Sequence, residues 1–213
     1  MRTDPDGVAA VRRARAIIAA AVGAPGAGGL APPLPEGFDE PRGVFVTIRR
    51  HPSGALRGCI GYPLPRYPLG IAIDRAARSA ALGDPRFPSL RPAELAAVTI
   101  EVSVLTVPER LAFATPEEAI RSVRVGRDGL IVEAPGASGL LLPQVAPEQG
   151  WSAEQLLEGT CEKAGLPPTA WRTPSVQIYR FEAEAFGETT PSGPVERTDT
   201  TATSGDERHA RRT

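Results

Sequence analysis

The chain has 213 residues, a formal net charge of −1, 41% hydrophobic residues and 23% charged residues. That length suits one domain with a sizeable core, and the near-neutral charge gives no bulk attraction to nucleic acid or to an anionic membrane surface. No apolar run reaches the length of a membrane span. The two distant cysteines make neither a disulfide framework nor a closed zinc site, so the expectation is a cytoplasmic protein with reduced thiols, no metal and no cofactor.

Residues from about Pro5 to Val22 read as a helix, with Asp4 as its cap and Pro5 at the first helical position. Arginines 12, 13 and 15 before an alanine-rich stretch also suggest a signal peptide, but the apolar stretch is weak and fits an amphipathic helix better. The Gly- and Pro-rich segment 23–42 is a loop. GVFVTIRR (43–50), the turn HPSG (51–54) and ALRGCIGY (55–62) form a β-hairpin. In the helix 67–83, Leu69, Ile73, Ala76, Ala77 and Ala80 share one face, and Gly83 ends it. DPRFP (84–88) is an ordered turn, and RPAEL opens a short helix.

VTIEVSVLTV (98–107) alternates strictly and is the clearest strand. Thr115 caps a short helix ending near Ser122. GLIVEA (129–134) and GLLLPQ (139–144) are strands on either side of the turn PGAS. Ser152 caps a helix ending near Gly165, and SVQIYRFEAEAF (175–186) is the last strand. From Gly187 onward the composition is Thr, Ser, Pro, Gly and charge, which cannot offset its ordering entropy by burial. Residues 187–213 are therefore expected to be a disordered polar tail after one domain, 1–186. Hairpins and separate helices without regular βαβ alternation give α+β with a mainly antiparallel sheet and flanking helices.

Strand periodicity concentrates the unusual chemistry on one face. Leu56 and Ile60 point one way, and Arg57, Cys59 and Gly61 the other. Ile100, Val102 and Val104 point one way, and Thr99, Glu101 and Ser103 the other. If both strands belong to one sheet, Arg57 and Cys59 share a surface with Glu101 and Ser103. Gly58 and Gly61 flank the thiol and leave its backbone open to approach. Arg57 favours the nucleophilic thiolate, and Glu101 orients the arginine or exchanges a proton. His51, in the hairpin turn, is a more distant base.

A second reading stays open at each position. A free cysteine is often a small buried hydrophobe, a cross-strand Arg–Glu pair is often only structural, and a turn histidine is usually solvated. Asp84 and Arg86 in DPRFP read alone as a self-paired rigid turn. Cys161 lies on the apolar stripe of its helix and is assigned to the core.

The segments GVFVTI, LRGCIGY, DPRFP, IEVSVL, GRDGLIV, GLLLPQVA, CEKAGLPPTAW and YRFEAEAF, in that order, resemble the AMMECR domain family over about residues 5–186. Prokaryotic members of that family are the A proteins of the AmmeMemoRadiSam system. The resemblance implies two unequal lobes around a cleft lined by the LRGCIG strand. It also implies an association with a Memo-like protein and a radical SAM enzyme.

The catalytic candidates are therefore Cys59, Arg57 and Glu101. The substrate-binding candidates are Gly58, Gly61, Ser103, His51, Asp84 and Arg86. The expected ligand is a nucleotide, a modified base or another small molecule. The alternative is a non-catalytic module that docks a ligand or partner, and neither reading calls for a membrane or nucleic acid.

Overall fold

The computed structural model describes residues 4–27 and 31–198. In chain order the elements are α1 (Asp4–Ala21), β1 (Val44–Arg50), β2 (Leu56–Tyr62), α2 (Leu69–Leu82), β3 (Val98–Leu105), β4 (Glu109–Arg110), α3 (Pro116–Ser122), β5 (Gly129–Ala134), β6 (Ala137–Leu141), α4 (Val145–Gln149), α5 (Ala153–Lys163), β7 (Gln177–Phe181), β8 (Ala183–Glu188) and β9 (Val195–Thr198). Tight 3-10 turns occupy Pro92–Ala97 and Pro168–Arg172. The fold is α+β with antiparallel sheets, as the strand and helix periods predict. Among the described residues no helix is long and apolar enough to cross a membrane.

The described residues fall into two compact units, one from 4–27 and 31–107 with Glu184–Thr198 and one from Pro108–Ala183. In the first, a five-stranded sheet runs in the order β2-β1-β3-β8-β9. Alternation sends Val44, Val46, Ile48, Ile100, Val102 and Val104 to one face, where all are buried. Against them α2 buries Leu69, Ala72, Ile73, Ala76, Ala77, Ala80 and Ala81, which includes every position expected to share one face. The small alanines bring the helix close to the strands. A Cβ at Gly58 would lie 2.3 Å from the Ala80 carbonyl oxygen, so only glycine fits beneath that turn of helix.

In the second unit the sheet order is β4-β7-β5-β6. Its core gathers Leu130, Val132, Leu156, Leu157, Cys161, Trp171 and Ile178, so Cys161 is the core residue its helical stripe implies. Burial pushes the Cys161 thiol pKa up.

Three expectations need correction. The strand expected over 175–186 is two strands in different sheets, β7 and β8. The apolar alternation runs through Glu182 without interruption, so the change of sheet leaves no mark on the pattern. The strand expected at 139–144 is displaced to Ala137–Leu141, and the residues after it turn into the short helix α4.

The expected loss of order from Gly187 fails over residues 187–198. There β8 continues to Glu188, and β9 pairs with it antiparallel from Ala185↔Thr198 to Glu188↔Val195. Residues 199–213, the rest of that expected tail, lie outside the described residues.

An ion cluster helps order this segment, beside Val195, which packs against the core. The Glu188 side chain is fully buried and accepts hydrogen bonds from Arg15 Nε and Nη2, both at 2.5 Å, and from the Ile100 amide at 3.0 Å. Arg12 Nη1 adds a contact at 3.3 Å, and its Nη2 reaches the Gly193 carbonyl. Glu188 therefore ties α1, β3 and β8 together. Replacing it by alanine leaves a buried guanidinium without its anion, which should cost about 3 kcal/mol. Urea unfolding of Glu188→Ala measures this directly. A loss below about 0.5 kcal/mol, the range of a solvent-exposed pair, would overturn the assignment.

Candidate functional site

β2 is the edge strand of its sheet, and its register against β1 fixes what surrounds the thiol. Cys59 is the Cα partner of Thr47, and Thr47 is in turn the partner of Glu101 on β3. The next row is Gly61, Phe45 and Ser103. Cys59, Thr47, Glu101 and Ser103 thus share the face opposite α2, as strand alternation implies for Cys59, Glu101 and Ser103. The Thr47 hydroxyl donates to Cys59 Sγ at 3.4 Å. Strands lie about 4.8 Å apart, so Cys59 and Glu101, two strands from each other, are separated by about 10 Å at the backbone. They do not touch, and Thr47, 7% exposed, lies between them.

Glu101 is partly buried. Burial raises its carboxyl pKa above the ordinary glutamate value, against the opposing pull of Arg49 and the Thr198 hydroxyl. It therefore holds its proton to a higher pH than an exposed glutamate does. Thr99 and Arg49 continue the polar rows toward the hairpin turn.

The DPRFP turn closes on the outer edge of β2. Asp84, 4% exposed, accepts the Cys59 amide proton at 2.8 Å through Oδ2. Its two oxygens also take the Arg86 Nε at 2.9 Å and Nη2 at 2.7 Å, a forked pair of the strong charge-assisted kind. The Arg86 amide adds a fourth contact at 3.1 Å. Arg86 Nη2 then donates to the Cys59 carbonyl at 3.0 Å.

One ion pair thus satisfies both outward-facing peptide groups of Cys59. The Arg86 guanidinium, followed by the Cys59 and Arg86 amides, holds the Asp84 carboxyl far below the usual aspartate range despite its burial. The Arg86 pKa is raised mainly by Asp84, with smaller contributions from the charge and side-chain hydrogen bonding of Cys59. Arg86 is therefore the cation bound at the Cys59 peptide. The self-paired reading of Asp84 and Arg86 is right as far as it goes, and the pair also binds the strand.

Arg57 goes elsewhere. The register between β1 and β2 shifts at Ile48/Arg49, leaving Arg57 as the extra residue of a bulge. Its side chain is buried and donates to Glu94 through Nε at 2.9 Å and Nη2 at 3.1 Å, and to the Ser89 carbonyl at 3.4 Å. The expected pairing of Arg57 with Glu101 does not form, because the bulge turns the side chain toward the 3-10 segment Pro92–Ala97.

Gly58 and Gly61 do not leave the thiol open either. Gly58 lies under α2, and a Cβ at Gly61 would lie 2.3 Å from the Phe45 ring. His51 is exposed in the turn, with its amide bound to the Ala97 carbonyl, and no interaction joins it to Cys59.

Sequence reasoning missed Thr47 and Glu94. The signal for Thr47 was present: a threonine among Val, Phe and Ile on the non-core parity of β1. Glu94 gave none, since its role depends on the bulge.

An α+β chain with a cysteine on an edge strand, clamped by an Asp–Arg turn, is the class these observations define. The AMMECR1 family model matches residues 11–186, and the chain belongs to the AMMECR1 family. A protein of Thermococcus gammatolerans is 57% identical over 161 residues, 74% of this chain and 78% of that one. Protein MJ0810 of Methanocaldococcus jannaschii is 46% identical over 190 residues, 89% of this chain and 94% of that one. The crystal structure of the uncharacterized protein PH0010 from Pyrococcus horikoshii is 46% identical with a TM-score of 0.81, covering 92% of this chain and 98% of that one.

The Asp84 clamp carries a pH signature. Its pKa is lowered in the folded state. Its contribution is therefore complete above about pH 4, where an unfolded aspartate is ionised, and is lost as pH falls from there toward the folded value. Asp84→Asn keeps the shape and removes the charge, so it should destabilise the fold by about 2 kcal/mol at neutral pH. Urea unfolding across a pH series should show the gap between wild type and Asp84→Asn closing below about pH 4. A gap independent of pH would mean the charge contributes nothing.

Proposed function

We propose that this protein is a thiol-dependent enzyme in which Cys59 is the nucleophile, Arg86 stabilises its thiolate and Glu101 carries the proton. The observation that supports the reading best is the row Cys59–Thr47–Glu101. It sets a thiol and a carboxyl whose pKa is raised by burial on one face, about 10 Å apart at the backbone. Nucleophilic catalysis needs an activated attacking group and a proton donor for the atom that receives the displaced electrons.

The substrate is a small molecule with an electrophilic carbon, such as a carbonyl or the C=N of a modified base. The thiolate adds to that carbon, a C–S bond forms, and the π pair moves to the oxygen or nitrogen. Glu101 gives its proton to that atom and becomes a carboxylate, and the reverse transfer regenerates both groups.

The rival reading, a non-catalytic docking module, relied on Gly58 and Gly61 as points of close approach. Both are occupied by packing, which removes that support. A Memo-like protein and a radical SAM enzyme stay in the proposal as partners, on the strength of the family resemblance. Co-purification of the three proteins tests that part, and its failure would remove the partners without touching the chemistry.

Two reactions separate the roles. Iodoacetamide should label Cys59 in the native protein and leave the core thiol Cys161 unmodified until unfolding, as peptide mass spectrometry will show. Arg86→Gln should slow that labelling about tenfold through lost charge stabilisation, while Glu101→Gln should leave it unchanged. Addition of carbon-13 acetaldehyde, read as a hemithioacetal signal by NMR, should be absent in Cys59→Ser and slowed about a hundredfold in Glu101→Gln. Labelling of Cys59 no faster than that of Cys161, or no effect of Glu101→Gln on the aldehyde, would remove the catalytic assignment.

A further inference from the structure

The bulge that takes Arg57 away from the thiol builds a second feature around Glu94. This carboxylate is held below the ordinary glutamate range, at about 2, by the Arg57 fork first and then by the Arg91 amide and the Arg57 and Arg91 charges. Arg57 and Glu94 form a largely buried, mutually neutral pair, with side-chain exposures of 3% and 15%. Two more guanidinium groups lie over the same carboxylate. Arg50 Nη1 is 3.8 Å from Oε1, and Arg91 Nε is 3.5 Å from Oε2.

Both separations exceed hydrogen-bonding distance. Both side chains are exposed, Arg50 to 54% and Arg91 to 81%. Among the described residues neither guanidinium makes another ion pair or a hydrogen bond. Glu188 is paired with Arg12 and Arg15, and Asp84 with Arg86. On a chain whose net charge is −1, this spot carries a surplus of two positive charges, three arginines against one glutamate.

We propose that Arg50 and Arg91 form a binding site for the phosphate group of a small phosphorylated ligand, seated outward of the Arg57–Glu94 pair. Guanidinium groups match phosphate oxygens in geometry and charge. Both arginine heads lie within 3.8 Å of the same carboxylate, Arg50 Nη1 at Oε1 and Arg91 Nε at Oε2. A surplus of two charges at one point fits a single dianionic phosphate. A nucleic acid strand instead needs a stripe of cations along its backbone. The site does not depend on the thiol chemistry. Arg50 has the parity of the buried strand positions Val46 and Ile48, whereas Cys59 lies on the opposite face.

Titration calorimetry of the full chain with inorganic phosphate and with AMP at low salt tests the site. Arg50→Gln and Arg91→Gln should each weaken binding about tenfold, the loss of one charge-assisted contact. Arg78→Gln, the same charge change at an exposed position of α2, should leave it unchanged, and so should Cys59→Ser. Equal affinity for both ligands identifies phosphate alone as the recognised group, and tighter AMP binding adds the nucleoside. Either result supports the site. Absence of binding by the wild type, equal weakening by Arg78→Gln, or a preference for single-stranded RNA over both small ligands would overturn it.

Discussion

A strand at the edge of a sheet presents peptide groups that no neighbouring strand can satisfy. At Cys59 that role falls to one ion pair, with Asp84 taking the N–H and Arg86 binding the C=O. Much of the first unit is organised around this closure. It fixes the outer edge of β2 while Gly58 admits α2 from one face, so the strand is held from two directions. A strand held in this way presents its thiol in one orientation relative to Thr47 and Glu101. The same contacts make Asp84 a structural anion and Arg86 the cation that binds the Cys59 carbonyl, so one pair closes both sides of that peptide.

The face of the site was legible in the sequence because it depends on parity alone. Cys59, Glu101 and Ser103 have the polar parity of their strands, and any antiparallel sheet containing both strands preserves that. The intervening strand was legible as a hairpin partner, but its order between β2 and β3 was not. Thr47 consequently went unnoticed as the residue bridging thiol and carboxyl. Arg57 shows where parity fails. It has the same parity as Cys59, yet one extra residue in the hairpin register turns it away. A bulge depends on how two strands fit each other, and neither strand's own pattern records it. DPRFP is the reverse case. Its prolines announced a rigid turn, and rigidity is what allows a carboxylate to stay aimed at another segment's backbone.

The segment after Phe186 was misread for a different physical reason. Its lack of aliphatic side chains was taken as a lack of anything to bury. Glu188 is buried all the same, because two arginines of α1 and the Ile100 amide supply the partners it gives up in water. Arg12 and Arg15 carried no hint of this in their own neighbourhood, where they read as the polar face of a helix. An ordering interaction between residues more than 170 positions apart is invisible to any local window.

The arginines also show why whole-chain charge is a poor guide to local chemistry. Nearly all the basic residues are arginine, and the net charge is −1, which at first suggests indifference to anions. Among the described residues many of the cations are matched: Arg15 with Glu188, Arg13 with Asp74, Arg86 with Asp84, Arg124 with Asp128. Matched pairs cancel in the sum and in space. Local surplus also arises where several cations share one anion, and Glu94 is such a place. Cancellation elsewhere makes that surplus stand out more sharply to an approaching anion than it would on a uniformly basic surface, because fewer competing cations surround it.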